Sequence, residues 1–168
     1  MLIGILSDTH NNVEMAIKAV DYFRKHGITV LIHAGDLSSP HMLDFFRGFE
    51  LHIVLGNCDC DNDELRAKAT EVGIQPICCR DEFELDGKSF VVFHGDNVPM
   101  FREAVDSEKY DYIIKGHTHC YENYERKKSR IINPGSLCRG EENSIAVLDT
   151  DTGQVSDVPI GTMEVWEY

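Results

Sequence analysis

Apolar positions in the first half of the chain come in short runs separated by amphipathic stretches. Leu2–Leu6 is a strand-like apolar run. Asn11 and Asn12 then offer helix N-caps, and Val13, Ala16, Ile17, Val20 and Phe23 follow at helical spacing, with Gly27 placed to end the helix. Residues 29–32 form a second apolar run, Pro40–Phe46 reads as a short helix opening with proline, and residues 51–55 form a third strand. Asp61 or Asn62 then caps a helix carrying Leu65, Ala69 and Val72, closed by Gly73. Strands alternating with helices predict βαβ units and a parallel sheet.

The second half has a different rhythm. Residues 83–85 and 89–93 flank Asp86-Gly87, a hairpin signal. A helix is expected over 99–105 and a strand at Tyr112–Ile114. Residues 121–125 with 130–132, and 144–148 with 155–160 joined through Asp151-Thr152-Gly153, read as hairpins. Parallel units followed by antiparallel strands predict an α/β protein: a two-sheet β-sandwich flanked by helices, in αββα layers. No internal repeat or linker interrupts the 168 residues, so one domain spans 1–168.

Composition narrows the picture. No stretch approaches the roughly 20 apolar residues that cross a bilayer, and the N-terminus lacks a basic region before its apolar run. The expectation is a cytoplasmic protein with no membrane partner. Acidic residues number 29 against 16 basic ones, a formal charge of -13, which disfavours nucleic acid because like charge repels phosphate backbones. Six cysteines are too few for a disulfide scaffold of this length and read as reduced thiols. Trp166 and Tyr168 suit a sheet edge or a subunit contact, so a homo-oligomer stays open.

The chemistry lies in where the polar residues fall. The first strand runs into Ser7-Asp8-Thr9-His10, the second into Gly35-Asp36, and the third into Gly56-Asn57-Cys58-Asp59. Residues 90–93 run into His94-Gly95-Asp96, and Tyr112–Ile114 into Gly116-His117-Thr118-His119. Ligands of α/β folds bind outside the carboxyl ends of strands, so these groups converge if the strands share a layer. In extended chain, residues two apart face one side; Asp8 with His10, and His117 with His119, would then face the cluster together. Singly, each has an ordinary explanation: Asp8 a helix cap, Asp36 a turn residue, His94 a satisfied core histidine. The ordered set is far more specific. Seven carboxylate, imidazole and amide donors exceed one tetrahedral ion and fit two divalent ions sharing a carboxylate, with manganese favoured and nickel, iron or zinc as alternatives.

Asp8-x-His10, Gly35-Asp36, Gly56-Asn57, His94 and Gly116-His117-Thr118-His119 resemble the ordered signature of calcineurin-like metallophosphoesterases. The short length and Asn133-Pro134-Gly135-Ser136 make the chain most similar to the small prokaryotic phosphodiesterases of YfcE type. The resemblance implies that Asp8, His10 and His119 hold one ion, that Asn57, His94 and His117 hold the other, and that Asp36 bridges them. It also implies hydrolysis of a small phosphodiester by a hydroxide bound at this dinuclear centre, with Asn57, Cys58 and His94 at the chemistry. Two positions depart from the pattern. Cys58 stands where a histidine usually helps protonate the leaving group, and Asp96 stands where a second histidine often follows. No arginine lies inside the motifs to hold the second negative oxygen of a monoester. The alternatives are a phosphomonoesterase or nuclease on the same core, or a non-catalytic scaffold resembling the retromer subunit of this family.

Overall fold

A computed structural model of the chain describes residues 1–59, 63–74, 77–139 and 142–161. The candidate cap positions Asp61 and Asn62, and also Cys60, Trp166 and Tyr168, lie outside the described residues. One five-stranded sheet has the order β10-β9-β1-β2-β3, with β1 at Leu2–Leu6, β2 at Val30–His33, β3 at Glu50–Ile53, β9 at Asn143–Asp149 and β10 at Val155–Gly161. The second has the order β4-β5-β6-β8-β7, with β4 at Arg80–Leu85, β5 at Lys88–Phe93, β6 at Tyr112–Ile114, β7 at Tyr121–Arg126 and β8 at Ser129–Pro134. Three α-helices, α1 at Val13–Lys25, α2 at Asp63–Glu71 and α3 at Val98–Ser107, and a 3-10 helix at Pro40–Phe46 complete the described elements.

The layers follow from the period-2 alternation of the central strands. Ile3 and Ile5 of β1, Val30 and Ile32 of β2, Phe90 and Val92 of β5, Ile114 of β6 and Ile132 of β8 point into the space between the sheets and make one core. Their sequence neighbours point outward. Leu6 and Leu31 pack under α1, the 3-10 helix and α2 in a second core. Val91, Phe93, Ile113 and Ile131 pack under α3 in a third. Strands covered on both faces read as nearly continuous apolar runs, which is why they stood out in the sequence. Gly4 sets how closely α1 approaches: a Cβ there would lie 2.6 Å from both Phe23 and Leu31.

The second half is less antiparallel than its hairpins suggested. β5, β6 and β8 are mutually parallel, and only the outer strands β4 and β7 pair antiparallel. The hairpin β9–β10 leaves this sheet altogether and extends the first one, with β9 antiparallel to β1. Both sheets are therefore mixed. Sequence alternation marks a strand's faces but not its neighbour; here β9 pairs with β1 and puts Ala146 and Leu148 into the core between the sheets.

Candidate metal centre

The polar residues that follow β1, β2, β3, β5 and β6 gather where the carboxyl ends of the two sheets meet. The turns after β1 and β2 are zipped to each other by Asp8 N–H to Gly35 O (2.9 Å), His10 N–H to Asp36 O (3.0 Å) and Asn11 N–H to Leu37 O (3.0 Å). This pairing is made in left-handed backbone. Asp8, His10, Asp36, His117 and His119 have φ of 52°, 43°, 60°, 69° and 57°. Each such residue costs on the order of 1 kcal/mol or more, and such strain collects at functional sites. The extended geometry expected for Asp8-x-His10 and His117-x-His119 is thus replaced by turns. The residues still converge, but His117 and His119 separate onto different partners.

Two groups result. In the first, His119 Nε2 lies 3.1 Å and His10 Nε2 3.8 Å from Asp8 Oδ1, and the two ring nitrogens are 3.4 Å apart. In the second, His117 Nδ1 lies 3.1 Å from Asn57 Oδ1, and its ring centroid is 5.1 Å from that of His94. Asp36 stands between the groups, with Oδ2 at 3.3 Å from His94 Nε2 and 3.6 Å from His10 Nε2. Asp8, Asp36 and His94, and separately Asp8, His10 and His119, bring their donor atoms within 4.8 Å of one another.

Two atoms mark the pocket as a candidate cation site. Asp8 Oδ1 and His94 Nε2 are buried without a hydrogen-bond partner, 3.9 Å apart. The other ring nitrogen of His94, Nδ1, lies 2.8 Å from the Ala34 carbonyl and donates to it, so Nε2 is the nitrogen that faces the pocket. A buried polar atom left unpaired costs ~1–3 kcal/mol, and a cation between Asp8 Oδ1 and a deprotonated His94 Nε2 would satisfy both. The donor set fits divalent transition ions.

Without metal, the charges lean on each other. Burial pushes the His94 imidazole down, but Asp36, the Ala34 carbonyl and Asp8 outweigh it and raise the ring to about 9. Burial pushes the Asp36 carboxyl up, and His94 with the Cys58 amide overrides it, holding the group well below the usual carboxylate range. Ligands bind metal deprotonated, so with His94 as a ligand a metal ion entering at neutral pH would have to displace its proton. Metal affinity is therefore expected to rise with pH, about tenfold per unit from pH 7 towards 9, and to level off above, with about one proton released. Calorimetric manganese titrations in buffers of different ionisation enthalpy test this; an affinity flat across that window would remove His94 from the ligands.

A supporting shell was largely silent in the sequence. Buried Asp59 accepts N–H bonds from Leu37, Ser38 and Gly56, tying the β2 turn to the β3 turn. His33 sits fully buried between Thr9 Oγ1 (2.7 Å) and the Gly35 amide (3.1 Å), a packing role that burial and neighbouring His94 enforce by lowering its imidazole to about 3. The Asn133 side-chain amide donates to Gly116 O (2.9 Å), and the Ser136 hydroxyl to Asp8 O (3.1 Å), so the Asn-Pro-Gly-Ser turn braces the ligand turns. Asp59 stands within the Gly56-Asn57 motif, and that adjacency was its only signal.

Cys58 is exposed beside the site. Its amide donates to Asp36 Oδ1 (2.9 Å), and its sulfur, an Asp36 oxygen and a His10 nitrogen lie within 4.8 Å of one another. Burial, then Asp36 and Asp59, push the thiol up to about 11. Beside His119 a cavity of ≈ 290 Å³ opens, lined in part by Tyr121, Ser144 and Asp157.

Carboxylates and imidazoles presented by two mixed sheets, around buried atoms without partners, make a candidate metal centre. The model of the calcineurin-like phosphoesterase superfamily domain matches residues 1–153, and the chain belongs to that superfamily. It is 30% identical over 165 residues to phosphodiesterase MJ0936 of Methanocaldococcus jannaschii, covering 94% of this chain and 98% of that protein. A solved structure described as a novel archaeal phosphodiesterase superposes with a TM-score of 0.86 at 28% identity, covering 95% of this chain and 99% of that one. YfcE, a phosphoesterase from E. coli, shares the fold with a TM-score of 0.71 at 18% identity, covering 96% of this chain and 100% of that one. The chain is a metallophosphoesterase. Among the described residues no helix is long and apolar enough to cross a membrane.

Proposed function

We propose that this chain hydrolyses small phosphodiesters at two divalent ions, manganese first among them. Asp8, His10 and His119 would hold one ion and Asn57, His94 and His117 the other, with Asp36 between. The observation that carries the reading is Asp36, whose one carboxylate oxygen lies within 3.6 Å of an imidazole from each group. The ions, when bound, would supply Lewis acidity and lower the pKa of a nucleophilic water. The chain's own part is positional. Asp36 offsets the repulsion between two cations, and Ala34 fixes the His94 tautomer so that Nε2 faces inward. Asn57 and His117 brace each other. The cavity beside His119 gives one ester arm room. A charge of -13 argues against a nuclease, and retention of all seven ligands argues against a scaffold.

Kinetics with a matched aryl diester and aryl monoester, under one metal condition, test the reading. The diester should have the higher kcat/KM; the reverse order would reassign the enzyme as a phosphatase. The same panel tests Cys58. A neutral thiol is a poor proton donor to an alkoxide, whereas nitrophenolate leaves unaided, and general-acid help is typically worth ~10²–10⁴-fold. Alkyl diesters should therefore turn over poorly and improve selectively in Cys58→His. Cys58→Ser should keep aryl turnover within about tenfold, at most ~1.4 kcal/mol of barrier. Collapse of aryl turnover with metal retained would give the sulfur a direct role in the chemistry.

A further inference from the structure

The turn after β8 brings an arginine to the metal centre that the spacing of the motifs does not reveal. Asn133-Pro134-Gly135-Ser136 continues through Leu137 and Cys138 to Arg139. The Ser136 hydroxyl donates to Asp8 O and accepts the amides of Cys138 (3.0 Å) and Arg139 (3.1 Å). The Leu137 amide reaches Ser7 O at 3.3 Å, and its carbonyl accepts the Asn12 side chain at 2.9 Å. The backbone of Arg139 is thus fastened, one hydrogen-bonded residue away, to the turn that carries Asp8 and His10.

The side chain is exposed and makes no hydrogen bond or ion pair with the described residues. Elsewhere on this acidic surface cations are taken up: Lys18, Arg47, Lys68 and Lys127 are each bound to a carboxylate. The backbone anchored through Ser136 to Asp8 places the unpaired Arg139 guanidinium within side-chain reach of the space beside Asp8 and His10 in which a phosphoryl group would sit.

We propose that Arg139 is a substrate-binding residue, its guanidinium hydrogen-bonded to a non-bridging oxygen of the bound phosphoester. The proposal rests on the phosphoesterase reading above and adds the contact that the motifs lack. A guanidinium suits the task because its planar fork matches two phosphate oxygens and keeps its charge at any working pH. A monoester carries one more negative charge than a diester, so the residue supports monoester turnover more than diester turnover. It narrows the gap between the two classes without reversing it.

Two measurements test placement and contact separately. In metal-free protein, alkylation of Cys58 by anionic iodoacetate and by neutral iodoacetamide is followed on the Cys58 peptide by mass spectrometry. The ratio of the two rates cancels the thiolate fraction and reports the local positive potential. Arg139→Ala should lower that ratio about threefold or more, and an unchanged ratio would place the guanidinium away from the site. In metal-loaded protein with metal content verified, Arg139→Ala should raise KM for an aryl diester about tenfold with a smaller change in kcat. It should weaken binding of inorganic phosphate, read by calorimetry, by a similar factor and lower monoester turnover further than diester turnover. Arg139→Lys should recover part of each loss. Unchanged KM and phosphate affinity, with the alkylation ratio lowered, would overturn the contact. Should the wild type turn over no diester, the phosphodiesterase reading falls on its own, and phosphate affinity still decides Arg139.

Discussion

Replacing Asp36 by asparagine is expected to strip at least one divalent ion and to lower kcat/KM more than about 10³-fold, roughly 4 kcal/mol in the barrier. The reason is the position of the carboxylate. Oδ1 accepts the Cys58 amide at 2.9 Å, and Oδ2 lies 3.3 Å from His94 Nε2 and 3.6 Å from His10 Nε2. An amide keeps the shape but removes the negative charge that offsets two cations at close range. Its NH₂ group must also face either the Cys58 N–H or the metal pocket, and a donor is unwelcome in both places. The variant should fold, because asparagine keeps the size and shape of the side chain and its oxygen can still accept the Cys58 amide. Elemental analysis and single-substrate kinetics decide the matter. Full metal content with full turnover in Asp36→Asn would show that this carboxylate does not join the two groups.

The second large effect is expected from a single methyl group. A Cβ at Gly56 would lie 2.1 Å from Asp36 Oδ1 and 2.6 Å from the Asp36 amide nitrogen, well inside contact distance. The Asp36 carboxylate cannot swing away without leaving His94 and His10, and the β3 turn cannot retreat without breaking the Cys58 and Asp59 hydrogen bonds that pin it. Gly56→Ala should therefore lose metal and about 10²-fold or more in turnover, since displacements near 1 Å at such a centre cost that much. Overpacking should also cost about 1–3 kcal/mol of stability. Gly73→Ala separates the two causes. Gly73 has φ of +81° with nothing within 4 Å of a Cβ, so its alanine variant should lose stability from backbone strain alone and keep metal and turnover. Gly56→Ala with metal intact and turnover within about threefold of wild type would mean that the turn gives way at no cost to the site.

Much of this was legible along the chain, for physical reasons that name particular residues. Central strands such as Leu2–Leu6 and Tyr112–Ile114 announce themselves because nearly every position in them is buried. The ligands announce themselves because each directly follows such a run. Arg139 did not, because nothing local marks it: its backbone is brought towards the Asp8 turn only by Ser136 reaching Asp8 across 128 residues. Asp59 and His33 were equally quiet, since a carboxylate that accepts three amides and an imidazole held between Thr9 and Gly35 look, in sequence, like any turn aspartate and any strand histidine.

The sequence alone determined the layer architecture and the family, and it named the seven candidate donor residues, because these depend on side-chain type and on order along the chain. The tertiary structure decided which strands became neighbours, sending β9 and β10 to the first sheet and making β5, β6 and β8 parallel. It also decided how the donors meet, in left-handed turns rather than extended chain, with His119 turned to Asp8 and His117 to Asn57. Those choices belong to contacts between residues far apart in sequence, where hydrogen bonds such as Asp8 to Gly35 and His117 to Asp8 select one backbone from several that the local sequence permits.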